Sequence, residues 1–150
     1  NKPGPLTLAE RERVRTVPYL TERVLCRQPR LCEIGAVAAA SYERMDGSGY
    51  PRGLSGTAIP MTARLLAAAA VYQALGEDRP HRAAYAQADR TAALHAEITA
   101  GRLDGAAVGA VLGVAVSFNL DRFRLTGWKA AGITAAFLFT FLVLSDLLIN

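Results

Sequence analysis

Apolar positions along the chain recur at helical spacing and nowhere alternate as a strand would. Thr7-Leu8-Ala9-Glu10 has the form of a capping box, in which a threonine and a glutamate three residues on satisfy each other's backbone N–H groups. It predicts a helix through about Thr16. Val17-Pro18 interrupts that helix, because a residue before proline is pushed out of the helical region. Pro18 then suits the first turn of a second helix, with Leu20, Val24 and Leu25 on one face and Gln28-Pro29 as its end. Leu31 to about Tyr42 reads as a third helix, with Ile34, Val37, Ala38 and Ser41 on one side. A fourth begins at Pro60 and carries Leu65, Leu66, Val71, Tyr72 and Leu75. Its Ala67–Ala70 wall lets another helix come close. Gly76 to Arg82 is a polar loop, Ala86 to Ala100 a fifth helix stopped by Gly101, and Asp104 caps a final segment from Gly105. The expected fold class is all-α.

Two glycine patterns stand out. Asp46-Gly47-Ser48-Gly49-Tyr50-Pro51-Arg52-Gly53-Leu54-Ser55-Gly56 holds too many glycines for regular structure and predicts a long shaped loop. Gly105, Gly109 and Gly113 recur every four residues. In a membrane that spacing forms a helix-packing face, but the uncharged stretch from Gly105 to Leu120 is short for a span, and it reads as a water-soluble helix packed closely on a neighbour. The C-terminal end differs. Asp121, Arg122, Arg124 and Lys129 form a charged collar, and from Ala130 to Ile149 the only charge is Asp146. That segment has the length of a membrane span and fits a buried C-terminal helix almost as well. The basic collar would place its N-terminal side in the cytoplasm. The expected division is a helical domain over 1–117, a charged linker over 118–129 and an apolar helix over 130–149.

Composition narrows the class. The chain has 150 residues, 51% of them hydrophobic and 20% charged, with a net charge of +4. One domain fits this length, and disorder is excluded by the hydrophobic content. No signal-peptide pattern follows Asn1, and the chain reads as starting mid-protein. Cys26 and Cys32 lack C-x-x-C spacing and are expected to be buried, reduced thiols. His81 and His95 lie on separate segments, His95 as a solvated or packed helix residue. There is no P-loop and no nucleophile elbow. The remaining carboxylates are Glu22, Glu43, Asp46, Glu77 and Asp78, of which a pair suffices to hold magnesium weakly. Glycines 47, 49 and 53 allow close approach of backbone to a ligand. Arg52, Arg79 and Arg82 suit a phosphate, and Tyr50 suits a base. The alternative is that the glycines only shape the loop and Tyr50-Pro51 anchors it. Arg44 and the run Arg11, Arg13, Arg15 read as solvated helix faces.

Tyr42-Glu43-Arg44-Met45-Asp46-Gly47-Ser48-Gly49-Tyr50-Pro51-Arg52-Gly53-Leu54 resembles the signature loop of the HD-GYP family. The flanks agree in order: Lys2-Pro3-Gly4, Pro18-Tyr19-Leu20-Thr21, Ala69 to Leu75, Asp78-Arg79-Pro80-His81-Arg82 and Gly101-Arg102-Leu103-Asp104, so the resemblance covers roughly Asn1 to Leu112. It implies a helical metal-dependent phosphodiesterase domain acting on cyclic di-GMP, with iron or manganese as the cofactor of intact members. It also implies departures. The family's His-Asp pair would fall before Asn1, Val17 and Ser41-Tyr42 stand where ligand histidines belong, and Ala70 stands where a ligand aspartate belongs. None of Val, Ala or Ser is a usual metal ligand, so the chain is expected to offer no metal ligand and no catalytic residue of its own. The substrate-binding candidates are Gly49, Tyr50, Pro51, Arg52, Arg79 and Arg82. The expected role is a nucleotide-sensing or regulatory interaction module with cyclic di-GMP or a regulatory protein as partner and no nucleic acid. The alternatives are an active phosphohydrolase completed by upstream residues and a non-catalytic remnant tethered to the membrane through 130–149. The expected location is the cytoplasm, at the inner membrane if that helix spans.

Overall fold

In a computed structural model, residues 7–79 and 82–118 are described. Six α-helices follow in order: α1 (Leu8–Arg15), α2 (Val17–Leu25), α3 (Cys32–Ala40), α4 (Met61–Leu75), α5 (Gln87–Thr99) and α6 (Gly105–Phe118). Single turns of 3-10 helix at Pro29–Leu31 and Gly56–Ala58 complete them. The described residues contain no strand, only an isolated bridge between Arg79 and Arg82, so the all-α expectation holds. The local signals explain most boundaries. Glu10 N–H donates to Thr7 Oγ1 and Thr7 N–H to Glu10 Oε2, closing the capping box. Pro18 sits in the first turn of α2, Pro60 caps α4, and Gly101 ends α5 with φ of +72°. Asp104 Oδ1 accepts from Ala107 N–H at 2.9 Å and starts α6.

The main core lies where α4, α5 and α6 meet. Ala67, Ala68, Ala69 and Tyr72 of α4 pack with Leu94 of α5 and with Leu103, Ala107, Val108, Val111 and Ala115 around α6. Alanines on both α4 and α6 let the backbones approach, while Leu94 and Val108 supply bulk. A smaller cluster of Ala40, Ile59 and Ala63 joins α3 to the start of α4, with Val37, Met45 and Leu54 against it.

Several expectations are corrected. Cys26 and Cys32 form a disulfide. Cys26 caps α2, the 3-10 turn reverses the chain, and Cys32 opens α3 with its Cα 4.1 Å from that of Cys26. Cys32 is exposed rather than buried. The inner face of α3 is Gly35, Ala39 and Ala40, and Ile34 is exposed. A Cβ on Gly35 would stand 3.1 Å from Leu25 Cβ and 3.4 Å from the Glu22 carbonyl oxygen, so a side chain there would push α2 away by a few tenths of an ångström. Leu20 and Val24 consequently face outward, and Pro18 is the buried residue of α2. Gly109 and Gly113 have nothing within 4 Å of a built Cβ and are exposed. The close helix packing is made instead by the alanine and valine side of α6, which buries more apolar area.

No helix among the described residues is long and apolar enough to cross a membrane. His81, most of the 118–129 linker and the 130–149 segment lie outside the described residues.

Leu94 is fully buried between three helices. Leu94→Ala is expected to lower unfolding stability by about 2–5 kcal/mol, through lost apolar transfer and the cavity left behind, read from the midpoint shift in urea.

Candidate functional site

The glycine-rich loop is built around one carboxylate. Glu43 follows the end of α3, where its N–H donates to the Ala40 carbonyl, and it is 2% exposed. A buried charge is costly unless it is hydrogen-bonded. Glu43 Oε1 accepts from Arg52 N–H at 2.7 Å and Oε2 from Leu54 N–H at 3.0 Å. Gly53 lies between those amides with φ of +64°, a turn that points both N–H groups at one acceptor. Gly49 lies against the other side of the same residue. A Cβ there would overlap Glu43 Cα and Arg44 N, so only glycine lets the loop backbone lie on the backbone of Glu43 and Arg44.

The remaining loop bonds are local or reach the α5–α6 corner. Asp46 Oδ1 accepts from both N–H and Oγ of Ser48, and the hydroxyl bond leads the effects that hold the Asp46 carboxyl below its ordinary 3.8. Met45 N–H donates to the Arg102 carbonyl at 3.1 Å, and Gly56 N–H to the Met45 carbonyl. Arg102 is itself fixed by a two-pronged pair with Glu97, both contacts at 2.7 Å. That hydrogen-bonded pair lowers Glu97 and raises Arg102. Arg64 spans the Ile59 carbonyl and Asp104 Oδ2. Asp104 is held low first by the Ala107 N–H and then by Arg64.

The six candidate binding residues divide into two places. Gly49, Tyr50, Pro51 and Arg52 stay together in the loop, against the residues that follow α3. The Tyr50–Pro51 bond is cis. The Tyr50 ring is half-buried beside Tyr42, with centroids 5.6 Å apart, and the Arg15 guanidinium lies 5.5 Å from its centroid. Arg15 therefore covers an aromatic ring as well as pairing with Glu12. Pro51 is exposed. Arg52 reaches back to α2, where its Nη2 donates to Glu22 Oε1 at 2.6 Å and Oε2 at 2.8 Å.

Arg79 and Arg82 lie past the C-terminal end of α4, a helix of 15 residues that rises about 20 Å. Their backbones bond each other. Arg82 donates to the Ala74 and Leu75 carbonyls, which the helix leaves unsatisfied, and lies 4.4 Å from the centroid of Tyr85. It is an anchor of the helix end. Arg79 is exposed. Neither Arg79 nor Arg82 makes a hydrogen bond or ring contact with the glycine-rich loop among the described residues.

The donor set does not fit the metal cluster that the sequence resemblance implies. Ser41 Oγ donates to the Ala38 carbonyl, Tyr42 packs at a tilt against Tyr50, and the Val17 and Ala70 side chains carry no donor atom. Among the described residues no three His, Cys, Asp or Glu side chains are grouped to hold a metal ion. Each remaining carboxylate also has a partner other than a second carboxylate: Glu22 has Arg52, Glu43 the loop amides, Asp46 has Ser48, Glu77 has Gln73 and Asp78 the Ala84 N–H. His95 is exposed on α5. Sequence reasoning placed Glu22 and Glu43 among carboxylates for magnesium and missed the pairing of Glu22 with Arg52 and the organising part played by Glu43. The signal for Glu43 was a carboxylate next to a glycine-rich loop whose amides need acceptors. Glu22 lies 30 residues from Arg52 and gave no local signal.

Glu43→Gln turns one acceptor oxygen into a donor facing a backbone N–H. It is expected to cost about 1–3 kcal/mol and to raise amide exchange at Arg52 and Leu54, measured by hydrogen–deuterium exchange. Glu97, Asp104 and Asp46 all have lowered pKa values in the fold. Their contribution is present above the unfolded values of 4.5 and 3.8 and is lost as pH falls through the folded ones. Stability measured in urea between pH 6 and pH 2.5 is expected to fall with acidification, and Glu97→Gln to flatten the upper part of that fall.

A family model for the HD domain matches residues 1–107. The chain is 38% identical over 107 residues to 3'3'-cGAMP-specific phosphodiesterase 1 of Vibrio cholerae, covering 69% of this chain and 24% of that protein. It is 41% identical over 98 residues to the cyclic di-GMP phosphodiesterase response regulator RpfG of Xanthomonas campestris, covering 64% of this chain and 26% of the relative. With a cyclic di-GMP phosphodiesterase of Thermotoga maritima the identity is 37% over 83 residues, covering 54% and 23%. The chain spans about a quarter of the length of these relatives.

Proposed function

The chain belongs to the HD domain family, and on that footing we propose that it binds a cyclic dinucleotide at the loop of Gly49, Tyr50, Pro51 and Arg52 without a metal centre of its own. The observation that carries this reading is the pairing of an intact loop scaffold with an altered donor set. Glu43 fixes the backbone of Arg52 and Leu54, while Ser41, Tyr42, Val17 and Ala70 present no metal-binding arrangement. The relatives are named for cyclic di-GMP or 3'3'-cGAMP, both of which carry two phosphodiester anions and two purine faces.

Arg52 supplies the two-pronged cation that a phosphodiester takes. The Tyr42–Tyr50 pair supplies an aromatic edge for a base. Because Glu43 holds the loop's turn in place, little ordering entropy is lost on binding. Arg79 and Arg82, past the C-terminal end of α4 and without a hydrogen bond to the loop among the described residues, are not part of the proposed site. A dinucleotide bound and not consumed makes the module a sensor, so its role is regulatory.

Titration calorimetry with cyclic di-GMP, with and without manganese, tests this. The expected result is binding of equal strength in both conditions. Arg52→Ala is expected to weaken it about tenfold, the low end for a charge-assisted pair. Arg82→Ala is expected to lower the melting temperature and leave affinity unchanged where the variant is folded. Manganese-dependent conversion of cyclic di-GMP to a linear product by this chain would overturn the reading.

A further inference from the structure

We infer that Glu22 is an internal competitor for Arg52, so that the loop takes a phosphodiester only after the Glu22 carboxylate has left the guanidinium. This rests on the proposed dinucleotide site and concerns its regulation. Arg52 is the only arginine between Asp46 and Gly56, and both oxygens of Glu22 lie on its Nη2, at 2.6 and 2.8 Å. A carboxylate held in this way occupies the place a phosphate oxygen would take. The two ends of the pair are held by separate parts of the fold. The Arg52 backbone is tied to buried Glu43. Glu22 is set by the tight α2–α3 contact at Gly35, 3.4 Å from a built Cβ to the Glu22 carbonyl oxygen. That same carbonyl accepts the Cys26 N–H at the end of α2, where the disulfide to Cys32 closes the corner. The Arg52 side chain is 51% exposed and that of Glu22 19%. The pair is therefore open enough to be displaced from solvent. Displacement frees a half-exposed guanidinium but leaves a mostly covered carboxylate without its partner, so the latch lowers affinity without abolishing it.

The test uses the full chain and Glu22→Gln, a neutral substitute of the same shape, with Glu22→Ala as a second variant. Phenylglyoxal labelling of Arg52, located by peptide mass, reads whether the guanidinium is free, and calorimetry reads cyclic di-GMP affinity. Labelling and affinity are both expected to rise about three- to fivefold in Glu22→Gln, the size of an exposed ion pair. Unchanged labelling overturns the inference whatever the dinucleotide does. Faster labelling with unchanged affinity also overturns it, while the binding reading survives. If neither protein binds the dinucleotide, the binding reading falls and pyrophosphate becomes the probe. Protection of Arg52 by pyrophosphate in Glu22→Gln but not in the native chain supports the latch, and no protection in either overturns it.

Discussion

A buried carboxylate with two backbone amides on it is the contact on which the glycine-rich loop depends. Glu43 is withdrawn from water at the end of α3, where an unpaired charge would be strongly unfavourable. The Arg52 and Leu54 N–H groups remove that cost and, in the same act, place the loop's far limb. The near limb follows, because Gly49 can lie on the Glu43–Arg44 backbone only once the chain has returned to Glu43. Met45 then meets the Arg102 carbonyl, and the Glu97–Arg102 pair ties the loop's base to the corner between α5 and α6. Remove the carboxylate's acceptor geometry and the amides on either side of Gly53 lose their common target.

This explains how scaffold and chemistry separate in the chain. The loop is held by backbone groups, one carboxylate and glycines, none of which belongs to the positions where the family resemblance expects metal ligands. At those positions the side chains are accommodated without them. Ser41 bonds to a carbonyl of the helix it ends, Tyr42 packs at a tilt against Tyr50, and Ala70 is exposed with nothing to satisfy. Replacing a ligand by such a residue leaves no buried polar atom unpaired, so the shape of the loop does not require the metal ligands to be present.

What the sequence made legible was governed by contacts within about five residues. The Thr7–Glu10 box, Pro18 and Pro60 at helix starts, Gly101 at a helix end and Asp104 on Ala107 are local satisfactions of backbone groups. Periodicity located the helices but not always their inner faces. On α3 the choice fell to Gly35, because the spacing of α2 and not hydrophobicity set what fits. On α6 the glycine stripe looked like a packing face, yet the opposite side carries Ala107, Val108, Val111 and Ala115, which bury more. The disulfide and the Glu22–Arg52 pair depend on how the chain reverses between helices, which residue spacing does not encode.

Arg52, Arg79 and Arg82 are equivalent as letters, and the fold makes them unlike. Arg82 closes on the Ala74 and Leu75 carbonyls and on the ring of Tyr85, so its guanidinium completes a helix end. An anion there would have to compete with the Ala74 and Leu75 carbonyls for the guanidinium and loosen the end of α4 as it did so. Arg52 meets a carboxylate whose removal exposes no backbone group, since Glu22 lies inside α2 with its peptide bonds made. In the proposed binding an anion exchanges with Glu22 at the cost of one ion pair, leaving a mostly covered carboxylate without its partner. That difference, and not the number of arginines near the loop, is why Arg52 is the anion site we propose.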